Sequence, residues 1–121
     1  GNTVLYTGAD DASLRKYDAG DASSLGAEQW AKEYDSVNNV TSIVLGENEN
    51  VISGSYGSPF DAGQVRKNDP SDGTRELLYS EHEHYVLDVA VGANGDIYSA
   101  SYSNEVHRID PDTGDKVWHY R

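Results

Sequence analysis

Residues 40–57, VTSIVLGENENVISGSYG, lie over residues 86–103, VLDVAVGANGDIYSASYS, without a gap. Val40 falls on Val86, Gly46 on Gly92, Asn48 on Asn94, Ser53 on Ser99 and Tyr56 on Tyr102. The match continues from 64–70 onto 105–111, after the earlier copy spends five extra residues within 57–63. A repeat of this length constrains the fold more than any single residue, because each unit has to bury an apolar face against the next. A third, shorter copy opens the chain. Residues 4–8 match 51–55, and residues 14–18 match 65–69.

Each full copy holds four apolar or alternating segments separated by Gly, Asn and Asp clusters, the pattern of short strands joined by turns. The spacing predicts strands A (40–45, 86–91), B (51–56, 97–102), C (64–69, 105–110) and D (77–80, 116–120). The first copy has B (4–8), C (14–18) and D (30–35) and lacks A. Residues 22–33 carry some helix propensity, but the repeat register assigns their second half to a D strand. Four antiparallel strands recurring every 41–47 residues predict an all-β chain of β-propeller blades. The three blades run over about 1–35, 38–84 and 85–121 of the chain, the first incomplete.

The turn between C and D carries its own signal. Gly26 precedes Trp30 by four residues, Gly73 precedes Leu77, and Gly114 precedes Trp118. Gly permits a left-handed turn residue, and Asp at the turn's start bonds the turn's N–H groups. A Trp four residues on can wedge against a neighbouring blade, burying about 150–250 Å². Asp110, Thr113, Gly114 and Trp118 together resemble the tryptophan-docking motif of quinoprotein-like propellers, of the PQQ-like or WD40-like kind. The resemblance is complete only there: Asp72 and Leu77 replace Thr and Trp in the middle copy, and the turn before Trp30 is longer. It implies inter-blade joints at Gly26, Trp30, Gly73, Leu77, Asp110, Thr113, Gly114 and Trp118. It does not imply quinone chemistry, since one fold hosts many functions.

Two full blades and most of a third are too few to close a ring, and open end faces are prone to associate. The expectation is a homo-oligomer, with two copies closing a six-bladed ring by two-fold symmetry, or a piece of a longer chain. Two outcomes are open for the missing strand A of the first blade: a partner segment supplies it, or that blade has three strands.

The sequence offers little chemistry. Glu81-His82-Glu83-His84 places two imidazoles on one face of an extended segment, but no third ligand is identifiable, so no metal site is assigned. His107 and His119 read as solvent-facing strand residues. The three Asp residues of 110–115 look like the start of a calcium loop, yet the last loop position is Arg121 rather than Glu. No catalytic residue, no cofactor and no enzyme activity is expected. A partner-binding face is expected where the B–C and D–A loops emerge together, with Phe60, Asp61, His82, His84 and Tyr85 as its candidates.

With 21 acidic and 9 basic residues the net charge is −12, which repels a phosphate backbone, so no nucleic-acid partner is expected. Four Lys and no Cys accompany that charge, the composition of proteins from saline surroundings. No apolar run approaches a membrane span, and the first residues lack the apolar stretch of a secretory leader. The reading is a non-enzymatic interaction or structural module on an extracellular or virion surface, from a halophile or its virus, binding protein or glycan. A fragment of a PQQ-dependent dehydrogenase and a lectin-like propeller remain the alternatives.

Overall fold

The structure, a computed structural model, describes residues 4–18, 26–34, 39–56 and 62–121. Its strands form three antiparallel sheets, each a meander in chain order. The first holds β1 (Val4–Gly8), β2 (Ser13–Asp18) and β3 (Glu28–Glu33). The second holds β4 (Asn39–Leu45), β5 (Val51–Tyr56), β6 (Gly63–Asn68) and β7 (Arg75–Tyr79). The third holds β8 (Val86–Val91), β9 (Ile97–Ser101), β10 (Val106–Ile109) and β11 (Lys116–Tyr120). The helix-prone stretch is strand over Glu28–Glu33, because its Trp30 is needed on the face that meets the second sheet.

Irregularities recur as faithfully as strands do. The ladder slips between Lys16 and Tyr17, between Lys67 and Asn68, and between Arg108 and Ile109, each one position before the Asp that opens a C–D turn or at that Asp's neighbour. It slips again between Val40 and Ser42 and between Val86 and Asp88. Bulges of this kind sharpen local twist, and repeating them keeps the sheets alike in shape.

The apolar core lies between sheets. Ala12, Leu14, Trp30, Tyr34, Val40 and Val51 join the first sheet to the second. Ile52, Val65, Leu77 and Tyr79 join the second to Val86, Val89, Ile97 and Ile109 of the third. Side chains alternate along each strand, so Val51 faces backward to the first sheet while Ile52 faces forward to the third.

Two glycines of the B strands let the sheets approach closely. A Cβ on Gly54 would lie 2.6 Å from Val86 Cγ1, and one on Gly8 would lie 2.4 Å from Val40 Cγ1. This equivalence corrects the register expected for the first copy. Gly8 corresponds to Gly54, not Ser55, and Tyr6 takes the forward-facing place of Ile52. The cross-strand partners agree: Gly8 opposes Leu14 as Gly54 opposes Val65, and Tyr6 opposes Lys16 as Ile52 opposes Lys67. A slip of one residue reverses every side chain in a strand, which is why packing resolves what sequence similarity in five residues did not.

Gly54→Ala is expected to destabilise the protein by about 1–3 kcal/mol through overpacking against Val86. The double variant Gly54→Ala/Val86→Ala should be more stable than the sum of the single effects. Urea denaturation of the four proteins in this cycle measures both.

Candidate functional site

Three sites follow from how the sheets stack: the joints between them, the loop face, and a buried polar node within each interface.

At the first joint the Trp30 ring lies against Gly73, whose φ is +79° and where a Cβ would sit 2.8 Å from the indole. Trp30 Nε1 donates to the Pro70 carbonyl at 3.0 Å, and Lys16 Nζ donates to the same oxygen at 2.6 Å. At the second joint Leu77 lies against Gly114 (φ +78°), and Lys67 Nζ donates to the Pro111 carbonyl at 2.7 Å. The turns themselves are set by side-chain acceptors. Asp110 Oδ1 accepts from the Asp112 N–H at 2.8 Å and the Thr113 N–H at 3.2 Å, and Thr113 Oγ1 accepts from the Asp115 N–H at 3.2 Å. Asp72 does in the second sheet what Thr113 does in the third, accepting from the Thr74 N–H at 2.9 Å. Gly26 packs against the Asp18 carbonyl of its own sheet. Trp118 stays 40 % exposed, its ring 6.0 Å from that of Tyr98.

On the loop face, Phe60 and Asp61 lie outside the described residues. The B–C and D–A connections do meet there: the Gly63 N–H donates to the His84 carbonyl and the Tyr102 N–H to the Tyr85 carbonyl, both at 2.9 Å. Their rings cluster. Tyr85 is 4.6 Å from Tyr56 and 5.7 Å from Tyr102, and His84 is 5.9 Å from both Tyr85 and Tyr102. Tyr102 is 64 % exposed. Tyr56 and Tyr102 were visible in the sequence only as an aligned pair; their grouping with Tyr85 depends on the pairing of two loops.

His82 departs from expectation. It does not belong to that exposed face but is 2 % exposed inside the second interface, and His107 is equally buried rather than turned to solvent. His107 alternates with Val106 and Arg108 on β10 and so faces the second sheet, and His82, in the connection between β7 and β8, stacks on its ring. His82 Nε2 shares a hydrogen with Ser99 Oγ at 2.7 Å. Tyr79 Oη and His107 Nδ1 are 2.5 Å apart, and His107 Nε2 is 3.1 Å from Glu105 Oε2. The His82 and His107 rings stack at 3.8 Å. Burial, then the neighbouring His107, pulls the His82 pKa down to about 4, so its imidazole is neutral at pH 7. Burial raises the Tyr79 phenol, with Glu81 and Glu105 adding to it, and the hydrogen bond from His107 lowers the Glu105 carboxyl. A polar cavity of about 160 Å³, lined by Glu81, Glu83, Glu105, His107, Lys116 and His119, adjoins this node.

The first interface carries a node in the same place built of other residues. Tyr34 Oη bonds Ser53 Oγ at 2.5 Å, the Arg66 guanidinium lies 4.1 Å from the Tyr34 ring centre, and Arg66 Nη2 donates to Gln64 Oε1 at 2.7 Å. At the opposite end of the sheets a cleft of about 500 Å³ opens among the A–B and C–D turns, with Glu47, Lys67, Asp69, Glu76 and Asp112 on its walls.

No family model matches the chain, and no curated protein matches it. Among solved structures, the C-terminal WD40 domain of Sif2 resembles it with a TM-score of 0.82 at 14% identity, over 98% of this chain and 33% of that one. The likeness shows the fold: three antiparallel sheets arranged as WD40-type β-propeller blades. The chain spans about a third of the length of that relative. No helix among the described residues is long and apolar enough to cross a membrane.

Tyr79→Phe removes the partner of a buried ring nitrogen, His107 Nδ1. It is expected to cost about 1–3 kcal/mol, read from the shift in urea midpoint at unchanged m-value.

Proposed function

We propose that this chain is a non-catalytic propeller module whose ring is completed by a second copy and whose loop face binds a protein partner. One observation carries this reading: the forward face of the third sheet is built like the buried forward faces and is exposed. Tyr98, Ala100, Val106, Trp118 and Tyr120 stand where Ile52, Gly54, Val65, Leu77 and Tyr79 stand in the second sheet. The latter set is buried, whereas Val106, Trp118 and Tyr120 are exposed. The Tyr98–Trp118 pair, at 6.0 Å and 54°, has nearly the geometry of the Tyr6–Trp30 pair that docks, at 6.0 Å and 47°. A surface arranged in advance for packing loses little side-chain freedom when it packs.

The other end of the stack supplies the complement. The first sheet has three strands and turns Leu5, 43 % exposed, backward. In a two-fold pair each Trp118 would reach the Gly26 turn of its partner, and two identical joints close the ring. Docking one indole corresponds to several kcal/mol at about 25 cal/mol per Å². The Trp30 joint, with its Gly73 contact and Pro70 acceptor, supports reading Trp118 as a docking residue of the tryptophan-docking kind.

For the loop face, the cluster of exposed His84 and Tyr102 on half-buried Tyr56 and Tyr85 supports a protein partner, since aromatic groups of this kind anchor interfaces. The −12 charge supports a saline setting, on a cell or virion surface.

Light scattering after gel filtration is expected to give twice the 13.2 kDa chain mass, and Trp118→Arg is expected to halve it while the far-ultraviolet spectrum is retained. A monodisperse wild-type monomer at about 100 μM would sink the ring closure. The unfolding temperature should also rise as salt goes from about 0.1 M to about 1 M, where the screening length falls from about 10 Å to about 3 Å.

A further inference from the structure

The second interface node differs from the first in a way that packing alone does not require. Where the first has Tyr34, Gln64 and Arg66, the second has His82, Glu105 and His107. Ser53 and Ser99 anchor both. A Tyr, an amide and a guanidinium thus satisfy this location, so neither the fold nor the hydrogen bond to serine demands imidazole. Two equivalent positions, Gln64/Glu105 and Arg66/His107, are metal-ligating types in the second node, and His82 takes the serine-bonding place that Tyr34 fills in the first. The first node brings its own cation, Arg66; at the same position the second has the His107 imidazole beside a carboxylate.

We propose that His82, Glu105 and His107 bind a divalent first-row cation of the zinc type. Each residue offers one ligand atom, and these atoms lie within 4.8 Å of one another, His82 from the connection between β7 and β8, Glu105 just ahead of β10 and His107 on β10. His82 Nδ1 is buried without a hydrogen-bond partner among the described residues, an arrangement that costs stability unless something ligates it. The other atoms of the set are oriented by further partners, as metal ligands commonly are. Ser99 holds His82 Nε2, Tyr79 holds His107 Nδ1, and Arg121 Nη2 holds Glu105 Oε1 at 3.2 Å. Two imidazoles and one carboxylate suit zinc and its neighbours, with bonds of about 2.0–2.2 Å, better than calcium or magnesium, which prefer all-oxygen sets. Because an imidazole lone pair lies in the ring plane, the His82 and His107 rings, now stacked at 3.8 Å and 25°, have to tilt out of the stack to share such a centre. Glu81 and Glu83 on the adjoining cavity oppose the charge of Lys116 and favour a cation there.

Zinc chloride titrated into the chelator-treated full chain tests this by calorimetry, and cobalt(II) absorbance reports the ligand field. The expected result is one ion per chain, with a raised unfolding temperature. Glu105→Gln should weaken zinc binding by at least about tenfold, and His84→Ala and His119→Ala should leave it unchanged. Because His82→Ala and His107→Ala each empty part of a buried node, Glu105→Gln/His107→Arg, which recreates the Gln64–Arg66 pair, serves as the folded variant. It should keep the unfolding temperature of the metal-free protein and lose zinc binding. No zinc binding by wild type up to about 1 mM, or binding lost with His84→Ala yet kept in the Gln/Arg double variant, would overturn the assignment.

Discussion

Successive sheets touch where a glycine on one strand admits a valine from the next sheet, Gly8 beneath Val40 and Gly54 beneath Val86. The rest of the stacking depends on that approach. With the sheets this close near the inner strands, Leu14 and Val65 reach the facing cores, and the C-strand lysines can span the gap to the Pro70 and Pro111 carbonyls. Thr41 extends the same contact, its hydroxyl donating to the Val86 carbonyl at 2.6 Å. A methyl group at either glycine would push apart sheets whose outer joints have little slack, because the indole of Trp30 already rests on Gly73.

Between inner contact and outer joint, each interface buries polar atoms that must be paired. The two interfaces meet that demand with different chemistry at one location. Tyr34, Ser53, Gln64 and Arg66 form a set with its own positive charge, while Tyr79, His82, Ser99, Glu105 and His107 form a set with rings stacked at 3.8 Å. The contrast shows that the architecture fixes where a polar group must sit and leaves its identity free. Such a position is where a propeller can acquire a ligand without disturbing its apolar contacts.

Strand order and most strand limits were legible in the repeat, because Gly, Asn and Asp mark turns whatever the surroundings. The Gly–Trp spacing likewise pointed to a contact between sheets, and Trp30 on Gly73 is such a contact. Other features were hidden for a physical reason. Residues 4–8 align equally well in two registers a position apart, and only the packing of Gly8 and Tyr6 selects one. His82 looked solvent-exposed because its neighbours Glu81 and Glu83 are, and nothing in a run of alternating charges says that another sheet covers one member. Glu105 and His107 lay more than twenty residues from His82, so their convergence required the third sheet to be in place.

The stack also has a directional consequence. Each sheet packs forward on the next, so an open row of three sheets contains two such contacts. Bending the row into a ring with a second row adds one contact per chain without adding a residue. Stability of stacked repeats grows with neighbour contacts rather than with length alone. If the proposed pairing holds, the exposed edge carrying Trp118 would be a reserve of cohesion that dilution draws down and concentration restores.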